Sequence, residues 1–138
     1  AVEDGAKEID MVLNRGLLKD GQFPDLVHDI ATVARAISPH PLKVILETSC
    51  LSLPEKIEAA LASALAEAAF VKTSTGFAAG GATAAAGRVW RESVPLSIGV
   101  RAAGGIRNLA QTKAMWAAGA DRIGTSASLT IMGEAQNA

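Results

Sequence analysis

The chain has 138 residues, of which 49% are hydrophobic and 20% charged, and these values predict one globular domain with a buried core. A net charge of −1 and an aromatic content of 4%, without tyrosine, argue against a basic, base-stacking surface, so we expect no nucleic-acid partner. The sequence contains no apolar run long enough to cross a bilayer, so we expect no membrane partner either. With Cys50 as its single cysteine, the chain has no internal disulfide framework, and the cytoplasm is the simplest compartment.

Five short apolar runs alternate with longer stretches of helical periodicity along the chain. The runs predict strands at Glu8–Leu13, Leu42–Leu46, Phe70–Thr73, Leu96–Val100 and Asp121–Gly124. The stretches between and after them predict helices at about residues 24–37, 53–68, 82–92, 109–118 and 127–134, whereas residues 14–22 read as a loop. Strands that alternate with helices in this way pair in parallel through right-handed crossovers.

Two architectures fit this order of elements: an open doubly wound sheet, or part of a TIM barrel. Polar or glycine residues lie within or directly after every predicted strand, namely Asp10, Glu47 and Thr48, Lys72–Thr75, Arg101–Gly105 and Gly124–Ser126. An open sheet concentrates its site at one switch point, whereas a barrel gathers all its strand ends around one mouth. We therefore predict an α/β fold, a partial TIM (β/α)8 barrel of about five parallel βα units, with residues 1–138 as a single domain.

Lys72 lies at the end of a predicted buried strand, where a charged amine is costly unless it is neutralised or paired. One interpretation is an amine nucleophile that condenses with a carbonyl compound to form a Schiff base. The other is a lysine at a strand end whose ammonium group reaches into solvent. The position alone leaves both open.

Arg101 occupies the equivalent place on the next predicted strand. If the two strands are adjacent, its positive charge would favour the uncharged, nucleophilic form of Lys72. The alternative is an ion pair between Arg101 and Asp10 or Glu47. Asp10 is in turn expected to pair with Lys43 or Lys72, either to move protons or as a purely structural interior salt bridge.

Glycines in the last three strand–helix loops predict an anion site. Gly76, Gly104, Gly105 and Gly124 leave backbone N–H groups accessible, and Ser126 adds a hydroxyl group. The dinucleotide-binding and P-loop fingerprints are both absent from the sequence. Because His28 and His40 are isolated, we also expect no metal site.

Six segments together resemble the deoxyribose-phosphate aldolase family, class I aldolases with a TIM-barrel fold. They are EIDMV at 8–12, LLKDG at 17–21, KVILET at 43–48, FVKTSTGF at 70–77, RAAGGIR at 101–107 and RIGTSA at 122–127. The family reversibly cleaves 2-deoxy-D-ribose 5-phosphate to glyceraldehyde 3-phosphate and acetaldehyde, without a metal or organic cofactor. The resemblance implies that the chain covers barrel strands four to eight and that the first three units are missing.

The same resemblance implies a role for each matching residue. Lys72 would form the Schiff base, Asp10 would relay protons, and Lys43 would belong to the polar interior. The substrate and its phosphate would contact Thr75, Gly76, Gly104, Gly105, Gly124 and Ser126. The implied partners are therefore a small phosphosugar and acetaldehyde.

Arg101 is a departure, because the family usually has there a second lysine that shares the proton relay. Arginine keeps the positive charge but has no proton to transfer near neutral pH. The alternatives to an active aldolase are therefore a weakly active or non-catalytic phosphosugar-binding or assembly paralogue, or another barrel enzyme acting on a phosphorylated sugar. Because five strands leave two edges uncovered, we also expect a homo-oligomer or a complementing chain that completes the barrel.

Overall fold

The computed structural model describes residues 1–75 and 84–138, in which five strands form one parallel sheet. The strands are β1 (Ile9–Val12), β2 (Leu42–Ile45), β3 (Phe70–Lys72), β4 (Gly99–Ala103) and β5 (Arg122–Gly124), and they lie side by side in chain order. The helices are α1 (Arg15–Lys19), α2 (Phe23–Ile37), α3 (Leu53–Leu65), α4 (Ala84–Ser93), α5 (Leu109–Ala117) and α6 (Ser128–Gln136), and a 3-10 turn covers Thr48–Cys50. The prediction of five parallel βα units is confirmed, and the unreversed strand order is that of a barrel rather than of a doubly wound sheet.

Local sequence signals fix several helix ends. Ser52 begins α3 with a capping box, in which its backbone N–H donates to Glu55 Oε2 at 2.7 Å. Asn108 begins α5, and its side-chain oxygen accepts a hydrogen bond from Gln111 N at 2.8 Å. Gly119 follows α5 with a φ of +94°, as expected for a glycine that ends a helix. In the described part of the chain, no helix has the length and apolarity needed to cross a membrane.

The hydrophobic core lies between the sheet and the helices. Val44, Val71 and Val100, which pair in register across β2, β3 and β4, are fully buried against this side, together with Leu26 and Ile30 of α2. Side chains alternate between the two faces of a strand, so the neighbours of these valines point to the opposite face. That face carries the charged residues of the strands, including Lys43 and Lys72.

An ion pair shows that the sheet is curved toward this charged face. Neighbouring strands lie about 4.8 Å apart, so β1 and β5 would be separated by about 19 Å in a flat sheet. Arg122 Nη1, at the start of β5, is nevertheless 2.7 Å from Oε1 of Glu8, which directly precedes β1. The charged side chains therefore line the concave face, as in the interior of a barrel.

Two sequence predictions were wrong at their boundaries. Residues 14–22, predicted as a loop, contain α1, because the Asn14 side chain accepts from Leu17 N at 3.3 Å and caps a short helix. The fourth strand, predicted at Leu96–Val100, is Gly99–Ala103, since Leu96 is 91% exposed in a turn closed by the bond from Ile98 N to Pro95 O. Arg101 therefore lies within β4 rather than after it. The predicted start of α4 near residue 82 lies outside the described residues.

Candidate active site

Lys72 is the last residue of β3 and points into the concave face. Its side chain is 12% exposed, and its Nζ donates a hydrogen bond to Asp10 Oδ2 at 3.0 Å. Strand pairing places Ile45 of β2 on one side and Arg101 of β4 on the other. The amine is thus held by a carboxylate at the carboxyl end of the sheet instead of extending freely into solvent.

Asp10 is shared between two lysines. Its Oδ1 lies 2.9 Å from Lys43 Nζ, while its Oδ2 accepts the bond from Lys72. Burial raises the pKa of the Asp10 carboxyl, but the hydrogen bonds from Lys43 and Lys72 outweigh burial, so the pKa lies below its ordinary value. Burial likewise lowers the pKa of Lys43, and its bonds to Asp10 and Glu8 outweigh this and raise it. The aspartate is therefore held as an anion beside the Lys72 amine.

Arg101 contributes a cation next to Lys72. The two residues face each other in register across β3 and β4, as expected from adjacent strands. Neither predicted ion pair, with Asp10 or with Glu47, is present, and Arg101 forms no salt bridge with any other described residue. The guanidinium group packs close to Gly124, where an added Cβ would lie 3.3 Å from both Arg101 Nε and Nη2. Glycine at position 124 therefore leaves the space that Arg101 occupies.

A cavity of about 400 Å³ opens beside these two cations. Its walls are formed by Lys72, Thr75, Arg101, Ala103, Gly104, Gly105, Ile106, Arg107, Gly124, Thr125 and Ser126. Gly104 and Gly105 have φ values of +93° and +76°, a pair of left-handed residues that only glycine adopts readily. Consecutive backbone N–H groups in such a turn form a concavity suited to an anion. The cavity therefore combines the Lys72 amine with a cationic, amide-rich wall.

Two hydrogen-bonded contacts shape the cavity walls. Thr125 Oγ1 donates to Ile106 O at 2.6 Å and joins the loop after β4 to the loop after β5. Glu47 Oε2 accepts from both the backbone N and the Oγ1 of Thr75, at 3.2 and 2.6 Å. Burial raises the pKa of Glu47, but the bonds from Thr75 and Ser74 and the charge of Arg15 outweigh this and lower it. Glu47 holds a left-handed backbone conformation with a φ of +52°, which is uncommon for a residue with a side chain.

Most of the residues singled out in the sequence meet in this one region. Lys72, Arg101, Thr75, Gly104, Gly105, Gly124 and Ser126 line the cavity, and Asp10 and Lys43 join Lys72 through ion pairs. Gly76 lies outside the described residues. Within residues 1–75 and 84–138, no cluster of His, Cys, Asp and Glu side chains is arranged to hold a metal ion.

Sequence reasoning missed Arg107 in the cavity wall and the ion pair between Glu8 and Arg122 on the concave face. It considered Glu47 as a partner of Arg101, whereas Glu47 bonds to Thr75. Two-residue alternation places Glu8 on the face of Asp10 and Arg122 on the face of Gly124, but alternation alone does not show that the two side chains meet. A larger groove of about 790 Å³ lies near the start of β2, between the ends of α2 and α3. None of the predicted site residues lines that groove, so its size does not make it the reactive centre.

Comparison with known proteins identifies the family. The family model for DeoC/LacD aldolases matches residues 1–134. Deoxyribose-phosphate aldolase 2 from Staphylococcus aureus strain N315 is 48% identical over 132 residues, covering 96% of this chain and 60% of the relative. The chain thus spans about 60% of the length of the curated relatives that it matches.

Solved structures agree with this assignment. A structure described as a putative deoxyribose-phosphate aldolase from Coccidioides immitis is 40% identical, with a TM-score of 0.94 over 99% of this chain and 55% of that one. Deoxyribose phosphate aldolase from Aeropyrum pernix, described as a unique tetramer, is 28% identical, with a TM-score of 0.87 over 98% of this chain and 57% of that one. These similarities confirm the TIM-barrel class of the five βα units. The chain belongs to the DeoC/LacD family of aldolases.

Proposed function

We propose that this chain carries the Schiff-base chemistry of a deoxyribose-phosphate aldolase, which reversibly cleaves 2-deoxy-D-ribose 5-phosphate to glyceraldehyde 3-phosphate and acetaldehyde. The observation that carries the proposal is the Lys72 amine, bonded to Asp10 at 3.0 Å in the wall of a cavity that also presents Arg101 and the Gly104–Gly105 turn. The names of the curated relatives support the same reaction.

The proposed chemistry needs an amine, a proton acceptor and an anion site. The Lys72 nitrogen adds to the aldehyde carbon C1 of the open-chain sugar, and loss of water gives an iminium ion. When the proton of the C3 hydroxyl is removed, the C2–C3 bond breaks and its electrons pass into the iminium group. Glyceraldehyde 3-phosphate leaves, and the remaining enamine takes a proton on C2 before water releases acetaldehyde. Asp10 is our candidate for moving these protons, because its carboxylate already accepts a hydrogen bond from the amine.

We assign the phosphate to the part of the cavity wall formed by Gly104, Gly105, Gly124 and Ser126. The backbone N–H groups of Gly104 and Gly105 and the Ser126 hydroxyl line the same cavity as Arg101, for which Gly124 leaves room. Thr75, held by Glu47, is assigned to the substrate on the Lys72 side, and Lys43 to the charged interior that supports Asp10.

Arg101 favours a second candidate function. A guanidinium group stays protonated near neutral pH, so it cannot pass on the proton that a lysine in its place could transfer. The alternative is therefore a weakly active or non-catalytic phosphosugar-binding or assembly paralogue. It predicts phosphosugar binding that survives Lys72→Met, without turnover in either protein.

We also propose that residues 1–138 act as one incomplete barrel domain in the cytoplasm, within a homo-oligomer or beside a complementing chain. β1 and β5 are the two outer strands of the sheet, and each pairs with only one other strand among the described residues. Uncovered strand edges favour association. The description of the Aeropyrum pernix relative as a tetramer supports the homo-oligomer.

Trapping of the imine tests the first function. The full chain is incubated with acetaldehyde and sodium borohydride, and peptide mass spectrometry is used to find an N-ethyl group on Lys72. Lys72→Met should abolish the adduct, whereas the matched variant Lys113→Met removes an exposed lysine of α5 and should leave the adduct in place. Absence of the Lys72 adduct in the unmodified chain, with phosphosugar binding retained, would favour the second candidate.

A further inference from the structure

The charged network of the concave face extends beyond Asp10 and Lys43. Lys43 Nζ also donates to Glu8 Oε2 at 2.9 Å, and Glu8 Oε1 lies 2.7 Å from Arg122 Nη1. Five side chains therefore form a continuous series of alternating sign: Arg122, Glu8, Lys43, Asp10 and Lys72. Lys72 is one end of the series, and Arg122 is the other.

The far end of the series is fixed by packing. The Arg122 guanidinium lies 4.2 Å from the centroid of the Phe70 ring, within the range of a cation–π contact. The ring occupies space left by Gly99, where an added Cβ would be 2.2 Å from Phe70 Cε1. Arg122 is therefore held over β3 while it pairs with Glu8 beside β1.

We propose that Glu8 and Arg122 are positioning residues, which determine how Asp10 divides its carboxylate between Lys43 and Lys72. Lys43 has two carboxylate partners, Glu8 and Asp10, so a stronger bond to Glu8 leaves Asp10 freer to bond to Lys72. Arg122 competes with Lys43 for Glu8, so Lys43 depends more on Asp10 and the bond from Asp10 to Lys72 is weakened. The importance of Lys72 as a nucleophile rests on the proposed function, but the network itself does not.

The remaining charged groups of this face are accounted for separately. Glu47 is engaged by Thr75, and Arg101 forms no salt bridge among the described residues. Arg101 is in register with both Lys72 and Arg122, but among the described residues the ion-paired connection from Arg122 to Lys72 is the series of five.

Because the charges alternate in sign, substitutions at Glu8 and at Arg122 should change the reactivity of Lys72 in opposite directions. In Glu8→Gln, Lys43 relies on Asp10 alone, so Asp10 holds Lys72 less firmly and the Lys72 amine should be acetylated faster. In Arg122→Gln, Glu8 serves Lys43 alone, Asp10 is freer for Lys72, and acetylation of Lys72 should be slower. Glu8 is three ion-pair contacts from Lys72, and Arg122 is four. In a partly hydrated site we expect a change in reactivity of about two- to fivefold for Glu8, and a smaller one for the more exposed Arg122.

The measurement is competitive labelling of the full chain with acetic anhydride across a range of pH, read by peptide mass spectrometry with exposed Lys113 as the internal reference. Glu55→Gln is the matched control, because it removes a carboxylate from the exposed Lys19 pair and glutamine still fits the capping box of α3. That control should leave Lys72 labelling unchanged. Arg122→Lys keeps the positive charge, so its Lys72 labelling rate should be close to that of the original chain.

The outcomes separate positioning from mere loosening of the structure. Faster labelling in Glu8→Gln together with slower labelling in Arg122→Gln supports the proposal. Faster labelling in both variants, or no change in either, overturns it. Because acetic anhydride labels any accessible amine, this result stands even if borohydride trapping fails at Lys72, in which case only the proposed aldolase function is lost.

Discussion

Replacement of Asp10 by asparagine removes the charge that holds the two interior lysines while preserving the side-chain volume. Lys43 would keep Glu8, but Lys72 would lose its one salt bridge among the described residues. Breaking a fully buried ion pair costs about 3–5 kcal/mol, whereas an exposed pair contributes about 1 kcal/mol or less. The Lys43 and Lys72 side chains are 7% and 12% exposed and Asp10 is 31% exposed, so we place the loss of unfolding free energy between these limits, at about 2 kcal/mol.

Urea denaturation of the full chain near pH 7 measures this loss, with Glu55→Gln as an exposed-pair control for which we expect a smaller effect. The pH dependence of the stability difference provides a second check on the ion pair. The Asp10 pKa is lowered in the folded state from its ordinary 3.8, so its stabilisation is present above that value and disappears as pH falls through the folded pKa. The variant and the original chain should therefore converge in strongly acidic solution. Equal stability at neutral pH, or a difference that persists after Asp10 is protonated, would refute the ion-pair reasoning.

Two further substitutions test neighbouring parts of the site. Arg101→Lys places a transferable proton beside Lys72, so the rate of 2-deoxyribose 5-phosphate cleavage should rise by about tenfold or more, measured by coupled reduction of the triose phosphate product. The control Arg107→Lys also keeps the charge and should not produce this gain. An unchanged rate in Arg101→Lys would contradict the relay argument. Gly99→Ala forces a Cβ to within 2.2 Å of the Phe70 ring and should lower the free energy of unfolding by about 1–3 kcal/mol. Gly133→Ala, in open space within α6, should be neutral or stabilising when both variants are measured by urea denaturation, and equal behaviour of the two glycine variants would count against the packing argument.

The sequence predicted those parts of the fold that depend on periodicity and capping. All five strands were found, and β2, β3 and β4 each contain an apolar residue, such as Val71 or Val100, that is buried against the helices. The boundary of β4 was missed because Leu96 is apolar yet exposed, and hydropathy alone cannot show that Pro95 and Ile98 close a turn. The short helix α1 was missed because its capping residue, Asn14, is equally common in loops.

The candidate site was likewise predicted only in part from the sequence. Lys72, Arg101 and the Gly104–Gly105 turn could be placed near one another because parallel strands end at a common edge. The Glu8–Arg122 bond could not be predicted in this way, because it joins strands at opposite edges of the sheet and exists only through the curvature. Long-range contacts across a concave face depend on sheet geometry, which strand order alone does not fix.

Under the proposed function, the difference between paired and unpaired cations would separate anion binding from proton transfer on the concave face. Lys43, Lys72 and Arg122 each have a carboxylate partner, so their charges are largely compensated within the network. Arg101 has no such partner among the described residues and faces the cavity wall that contains Gly104 and Gly105. An uncompensated guanidinium beside accessible backbone amides attracts an incoming anion, whereas a lysine bonded to a carboxylate is arranged for proton transfer. Under the proposed function, arginine at this position would strengthen anion binding at the expense of proton relay, and the demand for proton movement would fall on Asp10.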